Sequence, residues 1–125
     1  MRRLVFATGV FHHDGWDAGI LDGEPPEFLR QGYGEVSPDG IGHYAVVVAK
    51  LAAMHASAPA LTQADLRQIA VRTLIMVGDD DEVRLEHAIA MYRDLPDAEL
   101  AVVPGTSHGL LVESPACAAC SLPSS

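Results

Sequence analysis

Two short stretches hold the residues best suited to chemistry. One is the acidic run Gly78-Asp79-Asp80-Asp81-Glu82, and the other is Pro104-Gly105-Thr106-Ser107-His108-Gly109. A carboxylate that accepts the Nδ1 proton of an imidazole fixes its tautomer and stabilises the imidazolium. The Nε2 atom is then free to take a proton from a nucleophile. His108 and one acid of the run could form such a pair. Each also has a plainer reading. The acids suit the solvated start of a helix, because carboxylates favour a helix N-terminus, and His108 suits a structural loop. Asp79 and Asp80 compete with Asp81 for the acid's place. A cation at the run would need several more oxygen ligands at defined spacing, which are lacking.

Other candidates carry less. In His12-His13-Asp14 the adjacent histidines point apart on an extended chain, a poor match to zinc ligand spacing. His55 and His87 fall on predicted helices, where surface or core-edge positions are expected. Cys117 and Cys120 have redox spacing but no second pair, so inert thiols are expected. Ser37, Ser57, Ser107 and Ser114 read as cap or loop residues. No metal site and no cofactor are expected.

The elements that must position the acid and the histidine are legible as apolar patterns. Residues 4–8 (LVFAT), 73–77 (TLIMV) and 99–103 (ELAVV) are near-continuous apolar runs. Runs of this length and composition suit parallel strands covered on both faces. Between the second and third, Leu85, Ala88, Ile89 and Tyr92 repeat at helical spacing, and Pro96 stops the pattern. Residues 73–103 are therefore a strand–helix–strand unit of the size of a right-handed parallel crossover. The acid and the histidine follow adjacent strands at their carboxyl ends, the rim where open α/β sheets bind ligands. Neighbouring strands are only ~5 Å apart, so the two side chains can meet. Gly78, Gly105 and Gly109 permit the tight backbone this needs.

The long connection 9–70 has its own organisation. Residues 9–37, rich in Gly, Pro, Asp and Glu, read as loop. Ile41, Tyr44, Val48, Leu51 and His55 mark one face of a helix over residues 38–56, with Ser37-Pro38 as cap and first-turn proline. A shorter helix starts at Thr62, with Thr62 and Asp65 as a capping box and Leu61 and Leu66 as a hydrophobic staple. Long connections of this kind often form lids.

Composition narrows the partners. The 125 residues carry a net charge of −9, with 49% hydrophobic and 20% charged residues. This is a globular composition for one domain. It lacks the basic footprint that binds nucleic acid or an anionic membrane. No apolar stretch reaches the ~20 residues that span a bilayer. Met1-Arg2-Arg3 and the apolar residues behind it lack a small-residue cleavage site, so a secretory leader is rejected and a cytoplasmic location is expected.

Strand-Gly-x-x-Asp, a helix, then strand-x-Gly-x-x-His-Gly resembles the last third of an α/β-hydrolase, in which the order is nucleophile, acid, histidine. The resemblance spans residues 2–115. It implies an α/β protein with a partial α/β-hydrolase fold: three parallel strands, flanking helices and a helical cap insertion. Residues 1–115 would be the C-terminal part of the domain, 9–70 the cap, and 116–125 a disordered tail. It places the acid at Asp81 and the general base at His108. Phe11, Trp16, Tyr33, Tyr44 and Met54 become candidate lining residues of a pocket for a small apolar ester-like substrate, although burial of Phe11 and Trp16 against the cap is an equal reading.

The sequence departs from that family at one decisive point. The one Gly-x-Ser-x-Gly spacing, Gly105-Thr106-Ser107-His108-Gly109, falls in the histidine loop itself, after the acid and not before it, where Ser107 reads as a loop residue. The nucleophile and the earlier strands would lie before Met1, so the isolated chain is expected to be inactive. The open edge of the first strand invites self-association. Two further readings stand beside the hydrolase: a non-catalytic α/β interaction module, and a truncated gene product with no function of its own.

Overall fold

The computed structural model describes residues 2–113. The expected tail 116–125, with Cys117 and Cys120, and Ser114 lie outside the described residues. The three apolar runs are strands β1 (Arg3–Ala7), β2 (Arg72–Gly78) and β3 (Ala98–Val103). They form a parallel sheet in the order β1-β2-β3. The register sets Ala7 opposite Met76 and Gly78 opposite Val103. Coverage on both faces, expected for all three strands, holds only for the middle one. Ile75, Met76 and Val77 of β2 are buried, whereas Val5 and Val102 on the flanking strands are exposed. A strand paired on one side alone has less of the molecule around it.

Helix α4 (Leu85–Asp94) joins β2 to β3, and the core forms beneath it. Its buried neighbours include Val10, Phe11, Leu66, Ile75, Val77 and Val83. In the numbering used here α1 is Glu27–Val36, α2 Tyr44–His55, α3 Gln63–Arg67, α4 Leu85–Asp94 and α5 Leu110–Glu113. The buried face of α4 is turned from the expected one. His87, Ala88 and Met91 face inward, while Leu85 and Tyr92 are exposed. The turn of the face follows from His87, whose ring is hydrogen-bonded inside the core while Ala88 stays buried as expected.

The connection from β1 to β2 is more helical than expected. Residues 27–36, read as loop, form α1. Gly32 and Gly34 mask a helical repeat of Leu29, Tyr33 and Val36, and the helix begins directly after Pro25-Pro26. The next helix starts later than residue 38. Ser37 Oγ accepts the Asp39 N–H at 3.2 Å, and the chain turns before a short 3-10 segment, Ile41–His43, leads into α2. The capping box of α3 forms as the spacing predicts: Thr62 Oγ1 accepts the Asp65 N–H at 3.1 Å, and Asp65 accepts the Thr62 N–H at 2.8 Å. The Thr62 amide first, and the Thr62 hydroxyl second, donate to the Asp65 carboxylate and hold it below its usual range. No described helix is long and apolar enough to cross a membrane.

Candidate active site

The ends of β2 and β3 are stitched together before any functional side chain is placed. The Asp79 N–H donates to Val103 O at 3.1 Å, and the Asp80 N–H donates to Thr106 O at 3.0 Å. Asp79 Oδ1 accepts the Thr106 N–H at 3.3 Å, and Thr106 Oγ1 donates to Val103 O at 2.9 Å. Gly78 makes the approach possible, because a Cβ there would stand 2.4 Å from the Thr106 carbonyl oxygen. Only a residue without a side chain lets the histidine loop cross so close to the strand end.

On this base Asp81 turns inward. Its side chain is fully buried, and Oδ1 lies 2.9 Å from His108 Nδ1. The same carboxylate accepts the Val83 N–H at 3.2 Å and the Gly78 N–H at 3.3 Å. Three donors around a buried carboxylate offset its loss of water. An ionised Asp81 accepts only, so the contact requires a proton on His108 Nδ1 and leaves Nε2 as the free ring nitrogen. The His108 side chain is 41% exposed, so the imidazole reaches from a buried anchor toward solvent. Of the three adjacent aspartates, Asp81 is the one in contact with His108. Asp79 instead braces the loops, and Asp80 is exposed.

The far side of the histidine loop is tied down by Glu113. Its carboxylate accepts the Ser107 N–H at 2.8 Å and a short bond from the Ser107 hydroxyl. The hydroxyl bond first, and the amide bond second, hold the Glu113 carboxyl below its usual range. Ser107, next to His108 in the chain, is therefore occupied in holding the loop. No sequence signal marks this tie, since only the turn of α5 brings the two residues together.

The candidate lining residues separate into three groups. Trp16 reaches the pair: its ring stands edge-on to His108, with centroids 5.8 Å apart. Phe11 is buried in the core and stacked on His87 at 4.1 Å, in keeping with the burial reading. Tyr33 and Tyr44 pair with each other at 5.5 Å across α1 and α2. Tyr44 also lines a cavity of about 420 Å³ between those helices, whose walls contain neither Asp81 nor His108. Met54, on α2, is exposed. The rings of His12 and His13 stack at 4.3 Å, and no group of three metal-ligating side chains occurs among the described residues. His87, expected at the surface or the core edge, is buried at 4% exposure, and nothing in its spacing announces this.

Comparison with known proteins places this geometry. The model of the alpha/beta hydrolase family matches residues 1–119. Among curated proteins none matches the sequence. A serine hydrolase involved in carbazole degradation is similar in structure, with a TM-score of 0.65 at 16% identity over 96% of this chain and 52% of its own. A lipase-esterase related protein from Clostridium acetobutylicum gives 0.65 at 17% identity over 95% and 54%. An esterase from Exiguobacterium antarcticum gives 0.51 at 28% identity over 76% and 34%. The chain thus spans about half, or less, of the length of these structures. From its parallel sheet, its paired loops and the match along nearly its whole length, the chain belongs to the alpha/beta hydrolase family.

Proposed function

We propose that this chain supplies the acid and the histidine of a serine-type hydrolase acting on a small, apolar, ester-like substrate. The reading is carried by one observation: the 2.9 Å contact between buried Asp81 and half-exposed His108 at the carboxyl ends of adjacent parallel strands. In this reading His108 Nε2 takes the proton of an attacking hydroxyl and later returns it to the leaving group. Asp81 holds the ring in the Nδ1-protonated tautomer. Trp16 walls the histidine on one side. The serine hydrolase, esterase and lipase-esterase descriptions of three structural relatives support serine-type hydrolysis.

The attacking serine is not among these residues. The one Gly-x-Ser-x-Gly spacing, Gly105-Thr106-Ser107-His108-Gly109, lies in the histidine loop after the acid, and its Ser107 hydroxyl is bonded to Glu113. Triad members act as a unit, so the chain alone is expected to be inactive. Two measurements test this. Incubation with a p-nitrophenyl ester should give no turnover above buffer, and a fluorophosphonate probe should leave the mass of the chain unchanged. Turnover abolished in His108→Ala would place a working nucleophile in this chain, and turnover surviving in that variant would remove His108 from the mechanism.

A second reading, a non-catalytic interaction module, draws on the outer surface. Phe28 and Val36 on α1 are 70% and 83% exposed, and β1 and β3 each pair on one side among the described residues. Exposed apolar patches and open edges favour association. Under this reading the chain self-associates, and sedimentation shows a concentration-dependent species larger than the monomer.

A further inference from the structure

One buried side chain of α4 anchors the segment that follows β1. His87 lies inside the core, and its Nε2 accepts the Phe11 N–H at 3.2 Å. The two rings stack at 4.1 Å and within 10° of parallel. Gly15 packs against the same ring so closely that a Cβ there would stand 2.5 Å from Nε2. One imidazole thus fixes the segment at both ends, and Trp16 follows directly.

From this anchor a short antiparallel ladder runs to the acid loop. The Arg84 N–H donates to Gly15 O at 2.8 Å, and the Asp17 N–H donates to Glu82 O at 2.8 Å. Trp16 sits opposite Val83, whose N–H holds Asp81 Oδ1. The Arg84 guanidinium adds two bonds to Asp14 O, at 2.9 and 3.1 Å. The Trp16 ring then stands edge-on between two imidazoles, His108 at 5.8 Å and His55 of α2 at 5.9 Å.

We propose that His87 is a positioning residue for the Asp81–His108 pair, seating Trp16 against His108 by locking the Phe11–Gly15 segment onto α4. The inference takes that pair as the working site, as in the proposed function, but its test reads Trp16 and not turnover. Because Nε2 accepts a hydrogen bond, neutral His87 carries its proton on Nδ1. Protonation would turn Nε2 into a donor facing the Phe11 N–H, and the lock would open.

Burial lowers the His87 pKa below 6.5. Of the charged groups bearing on it, Asp14 opposes that change, while Arg84 at the start of its own helix and His12 reinforce it. The unfolded chain therefore binds the proton more readily than the folded one. The lock's contribution is fully present above about pH 6.5 and is lost as pH falls through the lowered folded value.

Trp16 is the only tryptophan, so its emission maximum and its quenching by acrylamide report the seat directly. The variant His87→Gln offers an acceptor oxygen near the place of Nε2 and does not titrate. His87→Leu keeps bulk and loses the acceptor. In the unmodified chain, mild acid should shift Trp16 emission to the red and raise acrylamide quenching while far-ultraviolet circular dichroism holds. His87→Gln should keep the neutral-pH spectrum and lose the acid response. His87→Leu should show the red-shifted, quenchable state already at neutral pH. An acid response surviving in His87→Gln would belong to His55 or His108, which stand edge-on to the indole, and would overturn the proposal. So would an unmodified chain whose Trp16 ignores acid. If His87→Leu fails to fold, the unmodified chain and His87→Gln still decide the matter. A failed hydrolysis assay leaves these readouts intact, so the two proposals fail separately.

Discussion

The rim of β2 and β3 and the α1–α2 pair are built on opposite terms. At the rim the backbone is crossed by a dense set of hydrogen bonds, the acid is fully buried, and three donors surround it. In α1 and α2 no residue is buried, although α2 reads YAVVVAKLAAMH. An apolar helix normally gains its stability by covering that surface. The difference teaches where the chain's own interactions decide the structure. The rim is over-determined by local bonds and close contacts, whereas the helical pair rests on its own backbone and a few side-chain contacts.

Glycine substitutions should break the comparison most strongly. Gly78→Ala forces a side chain onto the Thr106 backbone oxygen and should destabilise the chain by about 3 kcal/mol or prevent folding. Gly32→Ala in α1 meets nothing within 4 Å and should be neutral or stabilising, by up to about 1 kcal/mol. Paired thermal melts check both. Equal losses at the two sites would erase the contrast.

Next in size is the acid. Asp81→Ala leaves the buried amides of Gly78 and Val83 without their acceptor, a loss of about 2 kcal/mol. Asp80→Ala, at an exposed neighbour, should change stability by less than about 0.5 kcal/mol. Denaturant titration of the two variants separates the buried acid from its rivals.

Smaller effects sharpen the other side. Phe28→Ser with Val36→Ser should leave the melt nearly unchanged and reduce any self-association seen by sedimentation. Hydrogen exchange should be slower in β2 than in α1 and α2. The smallest effect belongs to Glu113→Gln, which weakens the tie to Ser107. It should speed exchange at the Ser107 amide with little change in melting temperature.

The strand–helix–strand unit was legible because its signals are local: continuous apolar runs, a helical repeat and Pro96 as a stop. The contact of Asp81 with His108 was legible because loops at adjacent strand ends lie on one rim. What escaped had no local signal. Helix α1 hid behind two glycines. His87 is polar, and its place in the core depends on an amide 76 residues away in the chain. Glu113 and Asp79 act as braces only once the loops are folded together.

The central claim is a carboxylate–imidazole pair with its proton on His108 Nδ1. Nuclear magnetic resonance of histidine-labelled protein reads that proton directly. A downfield Nδ1–H signal assigned to His108, present in the unmodified chain and in Asp80→Ala but absent in Asp81→Ala, is the expected result. A His108 ring protonated at Nε2, or one indifferent to the loss of Asp81, would contradict the account.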